Sequence, residues 1–185
     1  MTRIAMCMML PLLIPSVVVA GEVAGVAMPD AVTVDGVELT LNGIGLREKL
    51  WVDVYVAGLY LERASDDARQ IIDSEQTKQL QMQFVYKVGK QKLTGAWTAG
   101  LEANQPNRFV ELTEQLNRLN AMMDDVADGD VMRFTTRPGQ GLRVEVKGVD
   151  KGLIEGDEFA RAFWSIFLGD KPPTEKLKSG LLGGS

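Results

Sequence analysis

The chain has 185 residues, with 20 lysines and arginines against 25 aspartates and glutamates, one cysteine and no histidine. Without histidine, and with Cys7 as the sole thiol, a Ser-His-Asp triad, a Cys-His pair, a dithiol redox centre and a His/Cys zinc site are excluded. The acidic balance argues against nucleic acid, whose binding rests on clustered lysine and arginine, and weakly against an anionic membrane surface.

The chain starts with a short positive segment, Met1-Thr2-Arg3, followed by an apolar run from Ile4 to Ala20 that ends in Val18-Val19-Ala20 before Gly21, a small-residue cleavage pattern. Pro11 and Pro15 interrupt the run, which is also short for a transmembrane span. Residues 1–20 are therefore read as a signal peptide cleaved after Ala20, or else after Ala27. Residues 21–185 are read as a single domain, periplasmic or secreted, with no integral membrane association after cleavage. Cleavage after Ala20 removes Arg3 and Cys7, leaving 165 residues with 19 basic and 25 acidic side chains and no cysteine. Neither GxxxxGK[ST] nor GxGxxG occurs, and Asp124-Asp125 with Asp128-Gly129-Asp130 lacks EF-hand spacing, so these acids are read as a solvated loop. No cofactor and no metal are expected.

Ala31 to Leu41 predicts a hairpin, with Asp35-Gly36 as the turn between apolar runs. Gly43 and Gly45 mark a bend or bulge, and Leu50 to Leu61, rich in Val, Tyr and Trp and apolar on both faces, predicts a central strand. Ser65-Asp66-Asp67 starts a short helix carrying Ala68, Ile71 and Ile72. Leu80 to Val88 alternates as a half-buried strand, with Leu80, Met82 and Phe84 inward and Gln81 and Gln83 outward. Two helices follow, Lys90 to about Glu102 and Asn107 to Met123, separated at Pro106. Val131–Thr136 and Leu142–Val146 form a second hairpin around Pro138-Gly139-Gln140-Gly141, Val149–Leu153 is a short strand or turn, and a last long helix runs from about Asp157 to Leu168. Gly169 to Pro173 would end it and start another at Pro173 or Thr174. Hairpins first and last, with helices between and after, predict an α+β fold with an antiparallel sheet.

The segment Leu41–Glu62, LNGIGLREKLWVDVYVAGLYLE, places Arg47 beside an apolar stretch, Leu50–Leu61, whose only charge is Asp53. A guanidinium is always charged and offers a planar fork of donors, so in such surroundings it calls for an anionic partner, and a bound carboxylate would serve. Equally, Arg47 could pair with Asp53 as structure, and Tyr55 could be a core aromatic with its hydroxyl on the backbone. Arg47 and Tyr55 are eight residues apart, about 26 Å along one straight strand, so they can share a ligand only if the chain reverses between them, most simply at Glu48-Lys49-Leu50.

The stretches GLREKLWVDVYVAGLYLE and GDEFARAFWSIFLGDKPPTEKLKSGLLG, the latter from Gly156 to Gly183, resemble the bacterial chalcone-isomerase-like family, whose wider relatives include plant chalcone isomerases and plastid fatty-acid-binding proteins. The resemblance implies an open-faced β-sandwich, a large antiparallel sheet with helices layered on one side and a ligand cleft between them. It places the family's cleft arginine at Arg47, in the matching context of Gly43 and Gly45, and the tyrosine of the fatty-acid-binding branch at Tyr55. In that branch the pair would grip a carboxylate head group. In chalcone isomerase the arginine would stabilise an oxyanion, but the tyrosine and asparagine expected near Lys90 to Thr98 are absent from KQKLTGAWT, which argues against chalcone cyclisation.

Two functional classes follow. One is a binding protein for a fatty acid or other amphipathic carboxylate, with Arg47 as the clamp and Tyr55, Thr94 and Thr98 as further candidate ligand contacts. The other is an intramolecular lyase or isomerase using Arg47 and Tyr55 on an oxyanion, and it would rely on substrates that ionise by themselves. A non-catalytic scaffold for a protein partner is a third reading, and its sign would be an exposed apolar patch. Trp97, Phe159, Phe163, Trp164 and Phe167 are read as core.

Overall fold

The computed structural model describes residues 19–184; all of the expected leader but Val19 and Ala20, with Cys7, Pro11 and Pro15, lies outside them. A small hairpin opens the described chain, β1 (Val19–Val23) with β2 (Val26–Pro29), turning at Ala24-Gly25. Seven further strands make one antiparallel sheet: β3 (Ala31–Val34), β4 (Val37–Lys49), β5 (Val52–Leu61), β6 (Lys78–Phe84), β7 (Val131–Arg137), β8 (Gly141–Val146) and β9 (Val149–Ile154). Each strand lies beside its sequence neighbour throughout, so the sheet is a meander into which helices are inserted. The helices are α1 (Ala68–Asp73), α2 (Lys90–Asn104), α3 (Thr113–Met122), α4 (Asp157–Leu168) and α5 (Glu175–Leu181).

The expected hairpin at Asp35-Gly36 forms, both residues having positive φ (47° and 85°), as a two-residue turn requires. Asp67 caps α1 by accepting from the backbone N–H groups of Arg69 and Gln70, and Thr174 caps α5 through Leu177. Strand alternation sends Tyr55, Ala57, Leu59 and Leu61 of β5, Leu80, Met82 and Phe84 of β6, and Phe134 of β7 into one core beneath α2 and α4. There Trp97, Phe134, Phe163 and Phe167 form a connected aromatic cluster, with ring centroids 4.8–5.9 Å apart.

The opposite face of the sheet is not bare. The β1–β2 hairpin lies over it, packing Val26 and Met28 against Val56, and the Tyr60 hydroxyl donates to the Pro29 carbonyl at 3.1 Å. The sheet also curls, so that Arg137 of β7 reaches Asp35 in the β3–β4 turn at 2.9 Å. This curl buries Gln79 and Gln81, the latter predicted to face outward into solvent, at the floor of a polar groove of about 500 Å³.

Two expectations are corrected. The helix expected over Asn107–Met123 begins only at Thr113; residues 106–112 wind through turns, leaving Phe109 packed on the core without regular helical hydrogen bonding. The alternating strand ends at Phe84 and not at Val88, the chain beyond it meeting the sheet again only through the Val88–Val126 bridge. The bend or bulge expected at Gly43 and Gly45 falls inside β4, as a register shift between Leu41 and Gly43. Their glycine character serves a close approach: a Cβ on Gly43 would collide with the Gly180 carbonyl, and one on Gly45 with that of Leu177, so the bare backbone of β4 is what lets α5 lie against it.

Candidate functional site

The chain reverses at Leu50-Trp51, one residue later than expected, and both residues take left-handed φ values of 50° and 63°. The pairs Lys49–Val52 and Glu48–Asp53 continue that two-residue turn, and in unbroken register Arg47 would then face Val54. A one-residue shift between Arg47 and Glu48 leaves Val54 out, and Arg47 instead pairs with Tyr55. Residues directly opposite in an antiparallel pair share a face, with Cβ atoms about 4.5–5.5 Å apart. The bulge thus brings together two side chains eight positions apart in sequence and turns them into the space beneath α2.

That space is a cleft of about 610 Å³, within the range of small-molecule sites. Val54, Tyr55 and Phe84 supply its sheet side; Leu93, Trp97 and Ile166 supply its helix side. Tyr55 is buried and held edge-on against Phe84, with ring centroids 5.6 Å apart. The charged residues lining the cleft are Arg47, Lys49, Lys87, Lys92 and Lys171, five cations with no carboxylate among them. None of the five forms an ion pair among the described residues.

The Arg47 guanidinium donates to the backbone carbonyl of its own neighbour Glu48, and the rest of its donor fork has no protein acceptor among the described residues. Asp53 is not its partner: it stands exposed, opposite Glu48. Nor does the backbone take up the Tyr55 hydroxyl, which makes no hydrogen bond among the described residues. Burial raises the Tyr55 pKa well above its ordinary value, with Arg47 pulling the other way, so the phenol stays protonated and acts as a neutral donor.

Thr94 and Thr98, the other candidate contacts, are on α2 but do not line the cleft. The stripe of α2 that faces it runs from Lys92 and Leu93 through Ala96, Trp97, Ala99 and Gly100 to Ala103. The Thr94 hydroxyl donates to the Gln91 carbonyl at 3.2 Å and that of Thr98 to the Thr94 carbonyl at 2.9 Å, with Thr98 on the side of Asn120 in α3. Phe159, Phe163, Trp164 and Phe167 are core, as expected, whereas Trp97 is both core and cleft wall. Its indole N–H is buried without a hydrogen-bond partner among the described residues. Sequence reasoning missed the four lysines of the rim, which come from separate segments and converge only in the folded chain.

No curated protein matches the chain. Among solved structures, a fatty-acid binding protein of Arabidopsis thaliana shares the fold, with a TM-score of 0.71 at 17% identity over 85% of this chain and 92% of that one. The chalcone isomerase-like family profile matches residues 20–183. With this match spanning nearly all of the described residues, the chain belongs to the chalcone isomerase-like family.

Proposed function

We propose that the protein binds a fatty acid or another amphipathic carboxylate, tail between the sheet and α2, head group on Arg47 and the Tyr55 hydroxyl. The observation that carries this reading is the unpaired guanidinium beside an apolar cleft whose every charged lining residue is a cation. A half-buried cation without a counter-ion is partly desolvated at a cost, and a carboxylate ligand supplies the missing charge through two parallel hydrogen bonds. The fold is shared with a plant fatty-acid binding protein, which agrees with such a cargo. Native mass spectrometry of the purified protein, followed by extraction of whatever it carries, tests the proposal: an amphipathic acid is expected, and a neutral or cationic cargo would refute it.

The proposal extends to location. We place the protein outside the cytoplasm as one domain beginning near Gly21, on the charge and length of the leader. Cleavage after Ala20 leaves the β1–β2 pairing from Gly21 onward, whereas cleavage after Ala27 would remove Val26 from its packing on Val56. N-terminal sequencing of the soluble exported protein should therefore begin near Gly21, and recovery of the intact Met1 form in membranes would reject export.

A further inference from the structure

The described chain has four two-residue turns with both residues at positive φ: Ala24-Gly25, Asp35-Gly36, Lys147-Gly148 and Leu50-Trp51. Three carry glycine second, the residue that adopts this conformation without strain. The fourth carries leucine and tryptophan, and presents them to solvent at 78% and 90% of their full exposure. Beside them Val52 and Tyr86 are exposed as well. Leu50, Val52 and Tyr86 all line the cleft, so this apolar tip is the edge of its mouth.

The charged residues that line the mouth are of one sign. Lys49, Lys87, Lys92 and Lys171 are exposed, line the same opening and form no ion pair among the described residues. The nearest acids on the hairpin, Glu48 and Asp53, stand opposite each other one pair below the tip and do not line the cleft; alternation directs them to the other face of the hairpin from Arg47 and Lys49. The lining of the mouth is thus positive although the chain as a whole is acidic.

An exposed tryptophan and leucine at a strained tip, a tyrosine beside them and a ring of free lysines match the chemistry of a membrane interface. Aromatic rings settle at headgroup level and lysines gain from anionic lipid phosphates. We infer that the Leu50–Trp51 tip docks the protein peripherally on an anionic bilayer, seating the mouth of the cleft on the surface so that an amphipathic acid passes between bilayer and cleft without crossing water. Among the described residues no helix is long and apolar enough to cross a membrane, so the contact is superficial. Docking goes beyond the ligand reading and stands or falls without it; only the transfer role rests on that reading.

The test is co-sedimentation of the purified protein with vesicles of phosphatidylcholine alone or mixed with phosphatidylglycerol, alongside fatty-acid titration in vesicle-free solution. Trp97 and Trp164 are buried, so a blue shift of fluorescence on adding vesicles reports Trp51. The protein should bind the mixed vesicles, more weakly in high salt, and phosphatidylcholine poorly. Trp51→Gly restores the chemistry of the sister turns, so it should fold at least as stably and bind fatty acid in solution unchanged, while vesicle affinity falls at least about tenfold. Lys87→Gln with Lys171→Gln should weaken the preference for anionic lipid, leaving only the part owed to Lys49 and Lys92. Absence of binding to mixed vesicles, or binding indifferent to Trp51→Gly, overturns the inference, and fatty-acid binding that persists in solution then shows that the cleft reading survives alone. Concentration-dependent dimerisation abolished by Trp51→Gly also overturns it, identifying the tip as a contact between copies.

Discussion

Replacing Arg47 by alanine removes the one cation placed deep enough to meet a ligand head group beside Tyr55, while the four lysines remain at the rim. Hydrogen bonds to charged groups contribute roughly 1.5 to 3 kcal/mol, so Arg47→Ala should weaken a long-chain fatty acid by about ten- to a hundredfold. Arg47→Lys keeps a charge but loses the planar fork, and should recover part of the loss. The methyl ester, which has no carboxylate, should bind the wild type weakly and respond little to either change. Because Arg47 has no ion-pair partner among the described residues, removing it should leave the denaturation midpoint nearly unchanged, which separates a clamp from a structural arginine. Calorimetric titration of acid and ester against the three proteins, with urea denaturation of each, makes the comparison. Equal binding of acid and ester, with both indifferent to Arg47, would refute the clamp; so would a large loss of stability in Arg47→Ala.

If the cleft binds and does not catalyse, chalcone-type substrates should cyclise no faster with the protein than without it, and a saturable rate lost in Arg47→Ala would reverse that conclusion. Lys78 is buried, donates to the Ile71 and Ser74 carbonyls at 2.6 and 3.0 Å, and its pKa is lowered to about 8, chiefly by burial. Between about pH 8 and the unfolded lysine's ordinary 10.5 the unfolded chain binds the extra proton, so this residue's contribution makes stability rise with pH across that window. Urea midpoints at pH 7.5 and 9.5 should show a rise in the wild type relative to Lys78→Met, and a matched pH dependence in both would contradict it. Gly43→Ala should cost more than about 2 kcal/mol or release α5, since the new methyl would meet the Gly180 carbonyl and lie 2.7 Å from the Gly183 nitrogen; an unchanged thermal midpoint would show that α5 shifts freely.

Much of the sheet could be read from local chemistry. Asp35-Gly36 between alternating apolar runs specifies its hairpin whatever surrounds it, and the apolar spacing of α4 gave its limits because both ends carry glycine, Gly156 and Gly169. Where tertiary packing decided, local pattern misled. Local pattern puts Trp51 in a strand because tryptophan favours strands and no glycine or asparagine flags the turn; the residue that breaks the turn rule is also the most exposed large apolar side chain among those described. After Pro106 the apolar pattern runs ahead of the helix, because Phe109 and Leu112 keep helical spacing while packing from irregular turns. The bulge at Val54 left no local mark, yet without it Arg47 would face a valine.

The site was legible only where one residue announces its need for a partner. Arg47 did so, because a permanent charge beside an apolar strand demands an acceptor. The lysines did not, since a single lysine in a polar segment reads as solvated surface, and only the folded chain gathers four of them around one opening. Their arrangement also bears on the choice between binding and catalysis. A proton-transfer site at neutral pH needs a group that can accept a proton there, and the lining residues hold no carboxylate and no histidine, while burial keeps the Tyr55 phenol protonated. What the cleft offers is fixed positive charge and neutral donors, which favour a ligand that arrives and leaves as an anion. Chemistry in such a place would have to come from a substrate already ionised, and that is the condition under which the cyclisation assay could overturn the binding reading.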